Sequence, residues 1–238
     1  MIDLDGRIAL VTGGSAGIGR AIASSLHARG ARVALTSRSA ERAREAAADI
    51  AGEATDTILG LECDVRDPAA CEAAIETVKE RFGGLDILVN NAGLGIFKSI
   101  REMSNEEWET QIRTNLDGVF YMTRAALPPL VEADDAWIVN IGSLASRNTF
   151  AGGVGYNASK FGVLGMTEAM MLDLRYDGIR AAIVMPGSVN TGFAEGDEDR
   201  SWAIQPEDVG EAVLHVMSQP QRTLVSRVEL RPSAPPKK

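Results

Sequence analysis

Tyr156 and Lys160 stand four residues apart in a stretch of helical character. Residues i and i+4 share a helix face, so the ammonium can stand beside the phenol. A phenol transfers protons near neutrality only if its pKa falls from about 10, and a nearby cation favours the phenolate. Such a pair could give a proton to a carbonyl oxygen or take one from an alcohol. Ser143 precedes them and offers a hydroxyl that could hold the same oxygen. The Tyr/Lys spacing alone arises by chance in many helices. A second constellation lies near the start, where Thr12-Gly13-Gly14-Ser15-Ala16-Gly17-Ile18-Gly19 joins an apolar run to a helical one. Glycines there let the backbone turn tightly and approach a phosphate. The following helix N-terminus adds free N–H groups and partial positive charge.

These residues need a frame. Strands are predicted over residues 7–12, 32–36, 57–63, 85–90, 137–142, 180–185 and 223–230. Helices are predicted over 18–29, 40–51, 105–131, 155–177 and 206–217, with one more opening at Pro68. Regular alternation of apolar strands with helices predicts an α/β fold: a doubly wound parallel sheet, Rossmann-like, in a three-layer α/β/α sandwich. No composition shift or linker divides the chain, so residues 1–238 read as a single domain. Residues 192–203 lack any pattern and carry Glu195, Asp197, Glu198 and Asp199.

The chain has 24 Lys and Arg against 33 Asp and Glu, a net charge of −9, so no basic face for nucleic acid is expected. Cys63, Cys71, His27 and His215 cannot build a four-ligand metal site, and the cysteines read as reduced thiols. The first residues lack the apolar core of a signal peptide, and no run is long enough to span a membrane. A cytoplasmic protein is expected.

A dinucleotide site that prefers NAD usually places a carboxylate after the second strand. Here that strand ends in Thr36-Ser37-Arg38-Ser39, with no acid before Glu41. The guanidinium of Arg38 suits a phosphate dianion, and Ser37 and Ser39 can add hydroxyl donors. NADP(H) is the expected cofactor; the alternative is a solvated loop arginine.

The glycine turn, Asn90-Asn91-Ala92-Gly93, Asn115, Ser143, Tyr156-x-x-x-Lys160 and Pro186-Gly187-x-x-x-Thr191 occur in one order. In this the chain resembles the short-chain dehydrogenase/reductase family from about Arg7 to about Met217. The resemblance implies that Asn115, Ser143, Tyr156 and Lys160 are the catalytic residues. Asn115 would support a water relay, and Lys160 would also grip the nicotinamide ribose. Gly13, Ser15, Ala16, Gly17, Ile18 and Gly19 would cradle the dinucleotide, with Ser37, Arg38 and Ser39 at its 2′ end. Asp64 and Val65 would flank the adenine, Asp64 being equally a strand-end cap. Asn91, Ala92 and Gly93 would line the ribose, and Pro186, Gly187, Val189 and Thr191 would close on the nicotinamide.

Reduction of a ketone or aldehyde to an alcohol is the reaction expected. Leu94, Phe97, Phe150, Phe193 and Trp202 could form an apolar substrate pocket, or could be packing. A 3-oxoacyl-[acyl-carrier-protein] reductase is the alternative. Glu132, Asp134, Asp135 and the acidic loop argue against docking an acidic carrier, and residues 226–232 depart from the usual Gly-rich ending. A non-catalytic NADP-binding regulator is a further alternative, but such proteins would be expected to lose Tyr or Lys. Apolar residues around both long helices, with Gly162, Gly165 and Ala169, and the resemblance together imply a homo-oligomer, dimer or tetramer.

Overall fold

Apolar β-branched runs and helical segments alternate along the chain in the computed structural model, which describes residues 2–54, 56–191 and 200–235. The strands are β1 (Ile8–Val11), β2 (Arg32–Ser37), β3 (Ile58–Glu62), β4 (Ile87–Asn90), β5 (Ala136–Ile141), β6 (Ile179–Pro186) and β7 (Arg227–Leu230). They form one parallel sheet in the order β3-β2-β1-β4-β5-β6-β7. The order reverses direction between β1 and β4, which opens a crevice at the strands' carboxyl ends.

Successive strand residues point to opposite faces, and both faces are covered. On one side Val11, Leu35, Val89 and Val184 pack with α1 (Gly17–His27), α2 (Ala40–Ala51) and α7 (Pro206–Met217). On the other, Leu10, Leu88 and Ile138 pack with α3 (Pro68–Phe82) and α5 (Gly118–Glu132), and α6 (Val154–Asp173) covers β6. Helix ends follow the local residues. Ser39 caps α2, Asp67 caps α3 ahead of Pro68, and Ser104 with Glu107 makes a capping box on α4 (Asn105–Ile112). α1 has no side-chain cap.

The helix predicted over 105–131 is not continuous. A π turn at Arg113–Asp117 separates α4 from α5, and the Gly118 N–H donates to the Arg113 carbonyl. The extra residue turns the Asn115 side chain inward, where it is the one buried member of that turn. Helical periodicity alone cannot register a single inserted residue. The last strand covers only Arg227–Leu230 of the predicted 223–230, and the helix predicted to 177 ends at Asp173.

Candidate active site

The crevice is a cleft of about 970 Å³. Its floor begins at the glycine turn. Gly13 has φ +63°, and a Cβ there would lie 2.9 Å from the Ala92 Cα. Gly17 has φ +52°, and a Cβ on Gly19 would overlap the Gly13 carbonyl. The turn is tied to the end of β4. Thr12 Oγ1 accepts from the Asn91 and Ala92 N–H groups at 2.9 and 3.0 Å. Asn91 Nδ2 donates to the carbonyls of Thr12 and Gly13 at 3.0 and 3.2 Å. Ser15, Ala16, Gly17 and Ile18 line the cleft at the uncapped N-terminus of α1. Free helix N–H groups beside backbone bare of side chains fit a diphosphate.

Beyond β2 the cleft is basic. Ser37, Arg38, Ser39, Arg42, Asp64, Val65 and Arg66 line it. Ser37 Oγ accepts from the Ser39 N–H, and Ser39 Oγ from the Arg42 N–H, which leaves both hydroxyl protons for an outside acceptor. Asp64 accepts from the Arg66 backbone N–H at 3.0 Å and from its guanidinium, with one contact of 2.5 Å. Arg66 holds the Asp64 carboxyl below the usual carboxylate range, with a weaker pull from Arg38. The strand-end cap weighed for Asp64 is thus present in the structure.

At the other end, β5 delivers Ser143 and the first turns of α6 deliver Tyr156 and Lys160. Ser143 Oγ accepts from the Ala145 N–H at 3.1 Å. Lys160 is buried, and its Nζ donates to the Ile141 carbonyl at 2.9 Å. It lies 5.9 Å from the centroid of the Tyr156 ring. Burial pushes the Lys160 amine down to about 8. The expected depression of the Tyr156 phenol by Lys160 does not appear. Burial raises that phenol, and the hydrogen bond with Ser143 opposes the rise. The physical reason is that Lys160 spends its near contact on Ile141, so desolvation outweighs its pull.

Asn115 sits one layer back. Its Oδ1 accepts from the Leu94 N–H at 2.8 Å, and its Nδ2 donates to the Leu94 carbonyl at 2.8 Å and to Ser159 Oγ at 3.0 Å. Its side chain thus fixes the segment that runs along the cleft. Gly93, beside it, would carry a Cβ 3.8 Å from Lys160 Nζ.

The predicted cofactor residues Gly13, Ser15, Ala16, Gly17, Ile18, Ser37, Arg38, Ser39, Asp64, Val65, Asn91, Ala92, Gly93, Tyr156, Lys160, Pro186, Gly187, Val189 and Thr191 all line this one cleft. Gly19 and Asn115 are buried behind its wall, and Ser143, part-buried, adjoins the lining through its hydrogen bond with Tyr156. Of the apolar group, Leu94, Phe97 and Phe150 line the cleft. Trp202 packs instead beneath Arg200, 5.9 Å from guanidinium to ring centroid. Phe193 and most of the acidic loop lie outside the described residues. Arg42, Arg66 and Arg200 were not anticipated on the lining. Arg42 had a readable signal, one helical turn beyond Arg38; the others are brought in by the fold. One electrostatic expectation needs correcting. Glu132, Asp134 and Asp135 precede β5, so they lie at the sheet end opposite the cleft, where Asp135 pairs with Arg180. They cannot bear on what docks at the entrance. Among the described residues no helix is long and apolar enough to cross a membrane, and no cluster of three or more metal-ligating side chains occurs.

Comparison with known proteins places this geometry in company. A family model described as short chain dehydrogenase matches residues 7–201. An uncharacterized oxidoreductase of Staphylococcus saprophyticus is 34% identical, covering 98% of this chain and all of its own. A short chain dehydrogenase from Burkholderia cenocepacia J2315, solved in complex with NADP, is 36% identical with a TM-score of 0.88, over 96% of this chain and 98% of its own. An alcohol dehydrogenase from the archaeon Thermococcus sibiricus, complexed with 5-hydroxy-NADP, is 30% identical with a TM-score of 0.88, over 98% and 99%.

Proposed function

The chain belongs to the short-chain dehydrogenase family and is an oxidoreductase; from that premise we propose that it reduces a ketone or aldehyde to an alcohol with NADPH, and runs the reverse with NADP⁺. The observation that carries this reading is a half-buried Tyr156, hydrogen-bonded to Ser143 and beside the buried Lys160, in the same cleft as an arginine-rich far end.

The residues present fit the dinucleotide. The α1 N-terminus and glycine turn would hold its diphosphate, and Asn91, Ala92 and Gly93 its ribose. Arg38, with Ser37 and Ser39, would hold a 2′-phosphate. Pro186, Gly187, Val189 and Thr191 would flank the nicotinamide. When bound, the cofactor supplies the hydride. The protein supplies the proton and the geometry. Ser143 holds the carbonyl oxygen beside the phenol. Tyr156 gives its proton to that oxygen as the alkoxide forms. Burial keeps the phenol protonated through neutral pH, the form that gives a proton in carbonyl reduction. Lys160 would donate to ribose hydroxyls of the bound cofactor, and Asn115 keeps Leu94 in place.

The alternative 3-oxoacyl-[acyl-carrier-protein] reductase gains nothing specific from the site. The non-catalytic reading is disfavoured by retention of all four residues. We infer also that the working form is a dimer or tetramer in the cytoplasm. The test is NADPH oxidation with a panel of aldehydes, ketones and acetoacetyl thioester. Tyr156→Phe should lower kcat by roughly 10²–10⁴-fold while NADPH binding stays largely intact. A variant that keeps most of its kcat would refute the role. A best rate on the thioester would favour the carrier-protein reading.

A further inference from the structure

Two phenylalanines stand nearly half exposed at the mouth of the cleft, Phe97 at 48% and Phe150 at 46%. Large apolar side chains half exposed beside a reactive group suit an apolar ligand. They are not loose. Phe97 meets the Tyr156 ring edge-on with centroids 5.3 Å apart, and Phe150 follows at 5.9 Å. The two segments that carry them are joined by a parallel bridge between Lys98 and Gly153. Lys98 is held in turn by Glu107 on α4. The Phe150 N–H donates to Asn157 Oδ1 at 3.3 Å, and its carbonyl accepts from the Gly153 N–H at 3.1 Å. Asn157 is itself buried, and its Nδ2 donates to the Ala145 and Asn148 carbonyls at 2.8 and 3.0 Å. A Cβ at Gly153 would meet the Phe150 ring at 2.8 Å, so that ring lies flush on bare backbone. Leu94, clamped by Asn115, lines the same cleft.

The lining of this corner is mainly aromatic, with Arg200, also on the cleft, drawn toward the Trp202 ring. Lys160 holds the Ile141 carbonyl, while Arg38 and Arg66 act on Asp64 at the opposite end. A ring attached to the reacting carbonyl would come to rest beside Phe97 and Phe150, completing an offset or edge-to-face cluster. We propose that Phe97 and Phe150 form an aryl subsite, and that the preferred substrate is a neutral carbonyl compound bearing an aromatic ring at or next to the carbonyl carbon. This rests on the carbonyl-reductase reading of the site.

The test compares kcat/KM with NADPH for acetophenone, cyclohexyl methyl ketone, acetone and pyruvate. Cyclohexyl methyl ketone matches acetophenone in size and lacks the π face. Intrinsic reactivity differs between the two ketones, but it cancels when each variant's ratio is divided by that of the wild type. Acetophenone should exceed acetone by about 100-fold or more, as expected for filling an apolar pocket. Phe97→Leu and Phe150→Leu should each lower the acetophenone-to-cyclohexyl ratio several-fold, up to about tenfold, mainly through KM. Both positions are surface-accessible, so the variants should fold. Acetone or pyruvate used as well as acetophenone would overturn the proposal, pyruvate pointing to Arg200 as a carboxylate partner. An unchanged ratio in both variants would overturn it too. In those cases turnover of the other carbonyls leaves the reductase reading standing. No NADPH oxidation with any of the four, or with the wider panel, would remove that reading and the aryl subsite with it.

Discussion

Lys160 is an ammonium that the fold holds out of water, donating to the backbone carbonyl of Ile141. Burial pushes its pKa down to about 8 from an ordinary 10.5, which corresponds to a cost to the native state of roughly 3 kcal/mol. Below about 8 both native and unfolded chains keep the proton, so the full cost is present at neutral pH. Between about 8 and 10.5 the unfolded chain binds more protons, so stability rises with pH and the cost disappears. Lys160→Met should therefore stabilise the nucleotide-stripped protein at pH 7. Allowing for the lost hydrogen bond, the gain should be about 1–2 kcal/mol, while turnover collapses. Urea unfolding at pH 7 and pH 10 reads both signs: the advantage of the variant should shrink at the higher pH. A variant less stable than wild type at pH 7 would show that Lys160 serves the fold rather than the chemistry. The same residue marks where spacing stops informing. The i, i+4 rule brings Lys160 to the Tyr156 face. Only three dimensions reveal that its ammonium turns to Ile141 and leaves the phenol to burial.

At the scale of elements, the junction of β2 with α2 decides which nucleotide fits. Strand β2 ends without a carboxylate, and α2 follows at once with Arg42 in its first turn, so Arg38 and Arg42 reach the cleft together. Two guanidiniums and two hydroxyls suit a phosphate dianion and offer nothing selective to a bare ribose 2′-OH. Arg38→Asp should cut kcat/KM with NADPH by about 100-fold or more and affect NADH far less, since the new carboxylate repels the phosphate and can accept from the hydroxyl. Equal losses with both cofactors would count against the 2′-phosphate assignment. This junction was legible because strand end, absent acid and arginine are all local in sequence. So was most of the sheet, whose apolar runs bury both faces. The π turn at Asn115 was not, because it depends on a partner far along the chain, the Leu94 backbone. Nor was Arg66's hold on Asp64 at the end of β3. The placement of Glu132, Asp134 and Asp135 was misjudged for a related reason: proximity in sequence to a site element says nothing about which end of a strand a charge occupies.

At the scale of the whole molecule, a surface on α6 has no internal partner among the described residues. Phe161, Gly165, Leu172 and Tyr176 fall at helical spacing on the outer side of α6 and its exit, and all are exposed. Nothing lies within 4 Å of where a Gly165 Cβ would be, whereas Gly162, one face round, is already packed by Leu116 within the chain. Phe120 and Val131 on α5 are likewise about half exposed. Scattered apolar residues on a surface need no explanation, but a helix-long stripe with a bare glycine at its centre suits the close approach of another helix. A stable interface buries about 800 Å² per partner, and two helices of this length can supply it. The chain should therefore run as a dimer or tetramer in light scattering at micromolar concentration. Leu172→Arg should shift it towards smaller species, because carrying a guanidinium into an apolar interface costs its desolvation. The cleft opens at the carboxyl ends of the strands, away from the middle of α6, so kcat/KM per chain should survive that substitution within a few-fold. Wild type found only as monomer at tens of micromolar would overturn the assembly, and would leave the stripe without a purpose in the fold.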